Sequence, residues 1–165
     1  MSDAFYEKVK RGNLKRVSIS QSDIEKYKLT SDDILIARRS LTYEGAAKPC
    51  LIGNSKEPLI FESSLIRVRV NQELLDSVFF YFYLSLPSVR QTYLFPNVTK
   101  STISGINQAG LKRVEIILPP VDLQRRFREV YGKVGELKNG YEFKNLKESE
   151  NLFNSLLQRA FRGEL

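Results

Sequence analysis

Apolar side chains recur at steps of three and four along the last 45 residues, 121–165. This spacing places them on one face of a helix, so it predicts a single long helix after Pro119 and Pro120. At about 1.5 Å per residue the helix would be roughly 65 Å long, whereas a 120-residue domain is only about 30 Å across. We therefore expect a partner helix to cover the apolar face in a coiled coil. The predicted pairing residues are Leu123, Phe127, Val130, Val134, Leu137, Tyr141, Leu146, Phe153 and Leu156.

The first 120 residues contain shorter apolar runs separated by turn residues. The runs predict strands at 15–19, 33–37, 49–52, 58–61, 64–70 and 114–118. Helical spacing predicts one helix with a capping pattern at 22–25 and two more over 73–84 and 87–94, and the polar segment 96–110 predicts a loop. Strands grouped apart from a helix pair are typical of an α+β fold. We therefore predict a small mixed domain over 1–120, followed by a helical arm over 121–165.

Residues 78–84 form an almost continuous aromatic run inside the second predicted helix. Aromatic rings can stack on nucleic-acid bases, but such platforms are usually spread along strands rather than consecutive on a helix. A helix that is apolar on every side is normally buried. We therefore predict a core helix that packs on the sheet.

Composition excludes several kinds of catalytic site. The chain has no histidine, so a His-containing triad, an imidazole base and a histidine metal site are impossible. Its one cysteine, Cys50, cannot form an internal disulfide and is expected to be a small buried residue in a reducing cytoplasm. Asp32 and Asp33 adjoin a strand and should face opposite ways, which is a poor geometry for a catalytic pair. We expect no cofactor, no metal and no membrane contact for this chain.

The positive charge is concentrated in the first 120 residues. They hold 17 Lys/Arg and 12 Asp/Glu, against nine and seven in 121–165, and the whole chain carries a net charge of +7. This excess suits a polyanionic partner, although a basic protein that is merely soluble is equally compatible with it.

Two segments carry the residue types that contact nucleic acids. One follows the strand predicted at 33–37, and the other lies in the loop predicted at 96–110. A rigid strand that delivers cations and hydroxyls into a loop is suited to reading base edges and phosphates. The candidate residues are Arg38, Arg39, Ser40, Thr42, Tyr43, Lys48, Lys100, Ser101, Thr102 and Asn107. The alternatives are a solvated turn at the first segment and, at the second, a loop that caps the next element through Asn107.

Several segments, taken in order, resemble the specificity subunits of type I restriction–modification enzymes. The end of the family's target recognition domain, where the chain enters a helical spacer, is similar to residues 106–108, 111–114 and 118–124. The family's characteristic C-terminal ending is similar to residues 152–165. Two strands of the family are similar to 32–38 and 64–68, with Asp32 where glycine is usual. The resemblance extends over residues 15–165.

This resemblance has two departures from the family's pattern. The family normally pairs two recognition domains with two spacers, whereas this chain has one of each. The opening segment of the recognition domain, with its tryptophan-containing strand, is also missing. The resemblance therefore implies a half-sized specificity subunit, one truncated at its N-terminus, or the distal half of a split one.

The resemblance implies a non-catalytic, cytoplasmic module that recognises double-stranded DNA. It would direct a methyltransferase subunit and a nuclease–translocase subunit to a target, and S-adenosylmethionine, ATP and Mg²⁺ would belong to those partners. The helical arm would pair with a second copy or with another specificity fragment. The alternative is a truncated fragment that acts only as a protein–protein scaffold, and a salt-dependent DNA-binding assay distinguishes the two.

Overall fold

The computed structural model describes residues 6–12, 14–55, 57–140, 154–155 and 158–159, with the backbone alone for 136–140. In chain order the elements are α1 (Gln21–Tyr27), β1 (Asp33–Ala37), β2 (Arg39–Ser40), β3 (Pro49–Leu51), β4 (Leu65–Arg69), α2 (Ser77–Ser85), α3 (Pro87–Val89), β5 (Ser104–Gly105), α4 (Gln108–Leu111) and α5 (Val121–Gly140). A π-helical turn, Arg90–Leu94, and a 3₁₀ turn, Phe95–Asn97, follow α3. This mixture of helices and antiparallel strands agrees with the predicted α+β class. Within the described residues, no helix has the length and apolar character that crossing a membrane requires.

Strand β1 is the centre of an antiparallel sheet ordered β3–β1–β4. All five of its residues are buried, because both faces of the strand are covered. Ile34 and Ile36 pack in the main core, and Leu35 packs on the other face with Cys50 and Ile52. Burial raises the pKa of the Cys50 thiol to about 12, so the prediction of a small buried cysteine is confirmed.

The polar residue at the start of β1, Asp33, is fully buried and is paired across the sheet. Arg69 on β4 donates two hydrogen bonds to its carboxylate, at 2.8 and 2.9 Å, and the Thr30 amide donates a third at 2.8 Å. Burial alone would raise the pKa of Asp33, but the bonds from Arg69 and Thr30 outweigh it and hold that pKa below its ordinary value. Asp33 is therefore a structural carboxylate, in agreement with the expectation that Asp32 and Asp33 form no catalytic pair.

Helix α2 is the aromatic core helix that the sequence predicted. Its first turn is capped by Asp76, whose carboxylate accepts hydrogen bonds from the amides of Val78 and Phe79 at 2.8 and 3.1 Å. The side chains from Phe79 to Leu84 are all buried. The helix packs against β1, β3 and α5, so its rings are unavailable for stacking on bases.

Of the strands predicted in the N-terminal half, one is absent and another is reduced to a single backbone bridge. Residues 14–20 form no strand, and Val17 is exposed. The run at 58–61 contributes a single bridge, between Leu59 and Leu29. A short apolar run forms a strand only where a neighbouring backbone can pair with it, and the sequence pattern does not contain that information.

The strand predicted at 114–118 is also absent, although its alternation has a structural meaning. Val114 and Ile116 pack against the core, but no strand lies beside them among the described residues. The helix predicted from 22–25 is present as α1, but its cap lies two residues earlier than expected. The Ser20 hydroxyl accepts the hydrogen bond from the Asp23 amide, at 3.2 Å.

The first two turns of α5 are fixed to the start of α2. Gln124 is fully buried and donates from Nε2 to the carbonyls of Leu74 and Pro119, at 3.0 and 2.7 Å. Its Oε1 accepts a hydrogen bond from the Asp76 amide at 2.8 Å. One turn later, the Arg128 guanidinium lies 2.9 Å from the Asp76 carboxylate. Because the three Gln124 hydrogen bonds are directional, they set the angle at which the helix leaves the domain.

Phe127 lies in the core of its own domain, which corrects the prediction that it faces a partner helix. Its side chain is 3% exposed, and its ring makes edge contacts with Phe79 and Phe82 at centroid distances of 6.2 and 5.4 Å. The physical reason is that the aromatic helix α2 has its own apolar surface to bury, and the first turns of α5 supply the cover.

The rest of the predicted pairing face is only partly described. Leu123, Val130 and Val134 are partly buried. The side chain of Leu137 and all of Tyr141, Leu146, Phe153 and Leu156 lie outside the described residues. The coiled coil predicted for 121–165 therefore stays a prediction.

Replacing Gln124 with methionine should destabilise the fold by about 1–3 kcal/mol. Methionine keeps the volume but leaves the Asp76 amide and two carbonyls without their partner. Urea unfolding followed by circular dichroism measures the loss. Gln91→Met is the matched control, because Gln91 is exposed. Equal stability of the two variants would contradict this role for Gln124.

Replacing Asp33 with asparagine should lower the free energy of unfolding at pH 7 by about 2 kcal/mol, because hydrogen bonds between charged groups are lost. The folded-state pKa of Asp33 is depressed, so its contribution is complete above the unfolded pKa and disappears as pH falls through the folded pKa. The difference between wild type and variant should therefore shrink below about pH 4. A difference that is constant from pH 7 to pH 2 would show that the charge contributes nothing.

Candidate nucleic-acid interface

A two-stranded ribbon joins the two segments that the sequence singled out. Strand β2 pairs antiparallel with β5, with Arg39 opposite Gly105 and Ser40 opposite Ser104. The Ile106 amide also donates to the Arg38 carbonyl at 3.0 Å. Residues more than 60 positions apart in sequence therefore lie side by side on one surface.

Gly105 is required for this pairing. A Cβ atom there would lie 2.7 Å from the Arg38 carbonyl oxygen, which belongs to the backbone and cannot move aside. The absence of a side chain also leaves the position opposite Arg39 flat.

Three of the predicted cations are exposed at or beside the ribbon. Arg39 lies on β2, and the Arg38 guanidinium reaches back to the Ser63 carbonyl at 3.4 Å. Lys100 extends from the other segment, with its ammonium 5.5 Å from the centre of the Tyr43 ring. Residues 38–43 and 96–107 contain no aspartate or glutamate. The surface formed by these two segments is therefore cationic.

Three of the predicted contact residues shape the loops through their side chains. Ser40 is buried and accepts a hydrogen bond from the Thr42 amide at 3.1 Å, and the Thr42 hydroxyl accepts one from the Gly45 amide at 3.1 Å. The Ser101 hydroxyl donates to the Ile103 carbonyl at 2.8 Å.

Asn107 caps helix α4, and its Oδ1 accepts from the Gly110 amide at 2.7 Å. This is the capping alternative that the sequence left open. Thr102, in the same loop, is exposed. Thr42, Ser101 and Asn107 are exposed as well, but their side chains are engaged in the loop hydrogen bonds described above. Within the described residues Thr102 makes no such bond, so among the hydroxyl and amide candidates it is the one most available as a contact residue.

Tyr43 connects the two segments through a stack of side chains. Its ring lies 4.9 Å from the Phe95 ring, and its hydroxyl donates to the Phe95 carbonyl at 2.9 Å. The Arg90 guanidinium lies 4.9 Å from the centre of the same Phe95 ring. Tyr43 is therefore half-buried and is positioned to hold the loops rather than to extend freely from them.

Arg90 is a structural residue that the sequence reasoning missed. Its guanidinium donates to the carbonyls of Glu44, Ala46 and Ala47 at 2.7, 3.1 and 3.3 Å, and so holds the turn that follows β2. Burial lowers the pKa of Arg90. No local pattern could have indicated this role, because the three carbonyls are more than 40 residues away in sequence.

Lys48 differs from the other candidate cations because it is partly buried. It lines a cleft of about 440 Å³ together with Thr42, Glu44, Tyr81 and other residues. Burial, followed by the charge of Glu7, raises the pKa of Tyr81 to about 12, so this hydroxyl remains neutral at physiological pH. The structure therefore places Lys48 in this cleft, whereas Arg39 lies on the ribbon.

The cations near the N-terminus mostly contact the chain itself. Arg11 donates to the carbonyls of Ile52 and Gly53 at 2.7 and 3.1 Å, and Arg16 pairs with Glu57 at 2.9 Å. Arg11 and Arg16 are therefore engaged in contacts within the domain.

Comparison with known proteins identifies the family. The model of the type I restriction modification DNA specificity domain matches residues 3–130. The type I restriction enzyme EcoKI specificity subunit of Escherichia coli is 26% identical over 162 residues, which are 95% of this chain and 34% of that protein. A putative type I restriction enzyme MjaX specificity subunit of Methanocaldococcus jannaschii is 27% identical over 147 residues, 88% of this chain and 32% of that protein.

A third relative, the type I restriction enzyme StySPI specificity subunit of Salmonella potsdam, is 25% identical over 159 residues, 93% of this chain and 34% of that protein. The chain thus spans about a third of the length of these curated relatives. Because the family model covers most of the sequence, the chain belongs to the family of type I restriction–modification DNA specificity domains.

Proposed function

We propose that this chain is the DNA-sequence-recognition component of a type I restriction–modification system and binds its target through the β2–β5 ribbon and the flanking loops. The observation that carries the proposal is the pairing of β2 with β5, which assembles one cationic surface from two distant segments. A cationic surface on a rigid scaffold suits a phosphate backbone, and side chains between the phosphate contacts can reach base edges.

The two adjacent arginines have different surroundings, which supports different roles. Arg39 lies on the ribbon opposite Gly105, with no side chain across from it. A guanidinium in that position suits the O6 and N7 acceptors of guanine in the major groove. Arg38 leans towards the Ser63 carbonyl at the side of the ribbon, a position that suits a phosphate. Lys100, above Tyr43, suits a second phosphate.

The partners proposed for this chain are a methyltransferase subunit and a nuclease–translocase subunit. The family membership and the names of the relatives, which are specificity subunits of type I restriction enzymes, support this assignment. Catalysis, with S-adenosylmethionine, ATP and Mg²⁺, would then take place on the partners, and this chain would act without a cofactor.

The helical arm is proposed to pair with a second copy of the chain or with another specificity fragment. The bonds of Gln124 and Arg128 fix the direction of α5 where it leaves the domain. Beyond Phe127, the partly buried Val130 and Val134 continue the apolar face along the helix. Gly132 and Gly135 each cost about 1 kcal/mol relative to alanine in an isolated helix, so a paired helix is easier to account for than a free one.

Alanine substitutions at Arg38 and Arg39 should affect DNA binding in different ways. Arg39→Ala should relax the preference for one sequence, with a loss of about 1–3 kcal/mol of discrimination. Arg38→Ala should weaken binding to all duplexes and reduce the slope of log K against log salt by about one. Fluorescence anisotropy with an enriched duplex and a scrambled duplex, over a salt series, measures both effects.

Arg125→Ala is the control for this experiment, because Arg125 lies on the arm and pairs with Asp122. It should bind like the wild type. Unchanged binding by both Arg38→Ala and Arg39→Ala would place the readout elsewhere. If the wild-type chain binds no duplex at all, the scaffold alternative is favoured.

An aspartate on the apolar face of the arm should prevent self-association. Val134→Asp places a charge on that face, whereas Gly132→Asp adds the same charge where no atom lies within 4 Å of the new Cβ. Multi-angle light scattering at high micromolar concentration should find a dimer for the wild type and Gly132→Asp, and a monomer for Val134→Asp. A wild type that is monomeric throughout would contradict self-pairing and leave a second fragment as the partner.

A further inference from the structure

The exposed face of the β2–β5 ribbon ends in two large apolar side chains. Leu41 follows the last residue of β2 and Ile103 precedes the first residue of β5, so each adjoins one member of the last backbone pair, Ser40–Ser104. Leu41 is 82% exposed and Ile103 is 52% exposed. Single exposed apolar residues are common on proteins, whereas two that adjoin the same backbone pair, beside exposed cations, indicate a contact surface.

The alternation of side chains along the ribbon separates a structural face from an exposed face. Ser40 and Ser104 are buried beneath it. Arg39 and Gly105 are the pair before them, and Leu41 and Ile103 are the positions after them. Exposure alternates along both segments: Arg39 and Leu41 are exposed on either side of the buried Ser40, and Ile103 is exposed next to the buried Ser104. Because side chains of extended backbone alternate between two faces, we place Arg39 and the two apolar residues on the same side of the ribbon. A cation and an aliphatic pair are therefore presented together.

We propose that Leu41 and Ile103 contact the 5-methyl groups of thymine in the major groove of duplex DNA, beside the base that Arg39 reads. This inference rests on the proposed function of the same surface. A two-stranded ribbon fits the major groove, and the thymine methyl is the apolar group that base pairs present there. Residues 38–43 and 96–107 carry cations and no acidic residue. A surface of that charge favours duplex DNA as the partner over an apolar protein surface.

The spacing along the ribbon makes the proposal more specific. Arg39 and Leu41 are two residues apart, and two residues of a strand advance about 6.6 Å. Successive base pairs are about 3.4 Å apart along each DNA strand. The thymine whose methyl group is contacted should therefore lie about two base pairs from the position at which Arg39 sets the preference.

The test replaces thymine with deoxyuridine, which differs only in lacking the 5-methyl group. The full 165-residue chain first enriches binding sequences from duplexes with a randomised central segment. The enriched duplex is then made with thymine or with deoxyuridine at each position in turn. Wild-type affinity should fall about fourfold for each contacted methyl group that is lost.

The double variant Leu41→Ala/Ile103→Ala should bind the thymine and deoxyuridine duplexes equally. Its salt dependence should match the wild type, because no cation has been removed. Leu74→Ala/Ile117→Ala is the matched control, since these residues are exposed to 59% and 60% and lie outside the ribbon. That control should retain the fourfold difference. Arg39→Ala should also retain it, while losing preference at a neighbouring position.

Several results would overturn the inference while leaving the proposed function intact. They are salt-dependent wild-type binding with no response to deoxyuridine, an enriched sequence without an invariant thymine, or a double variant that still distinguishes the two duplexes. A wild-type chain that binds no duplex would instead reject the proposed function and this inference with it. Thermal unfolding of each variant checks that the fold is unchanged.

Discussion

The burial of β1 on both faces is the constraint on which the rest of the domain depends. A strand with five buried residues needs apolar cover above and below, and the aromatic helix α2 and the smaller cluster around Cys50 supply it. Its buried carboxylate, Asp33, needs a partner, which Arg69 supplies across the sheet. The chain then leaves β1 directly into Arg38 and β2, so the candidate interface is a continuation of the most buried strand. Residues placed in this way keep a fixed geometry, which a sequence-reading surface requires.

A second connection runs from the same core to the arm. Asp76 caps α2 with one carboxylate oxygen and pairs with Arg128 on α5 through the other, while its amide is bound by Gln124. Arg128 also donates to the Ser77 hydroxyl at 2.8 Å. The start of the core helix and the start of the arm are therefore one hydrogen-bonded unit. In the proposed assembly, the orientation of the DNA-binding surface relative to a paired arm would be set at this junction.

Sequence patterns identified the elements that depend on local spacing and on strong apolar character. The strand at 33–37, the aromatic helix and the helix that opens at Pro87 were all predicted, and the predicted resemblance agrees with the family found by comparison. The runs at 15–19, 58–61 and 114–118 failed as strands because a strand needs a neighbour, and no local pattern records one. The spacing of Phe127 fits the apolar face of the arm and therefore predicted a contact with a partner helix. In the structure its ring packs on the aromatic surface of α2 instead.

The sequence by itself determined the chemistry that is available: no histidine, a basic first 120 residues, and cations and hydroxyls in two separate segments. Only the tertiary structure decided that β2 pairs with β5, that Tyr43 and Arg90 hold the turns, and that Leu41 and Ile103 extend together from the ribbon's end. The physical reason is that residue type fixes what a side chain can bind, whereas its availability depends on backbone pairing between segments more than 60 residues apart. Ser40, for example, is buried and accepts a hydrogen bond that shapes the loop, whereas its neighbour Leu41 is exposed to solvent.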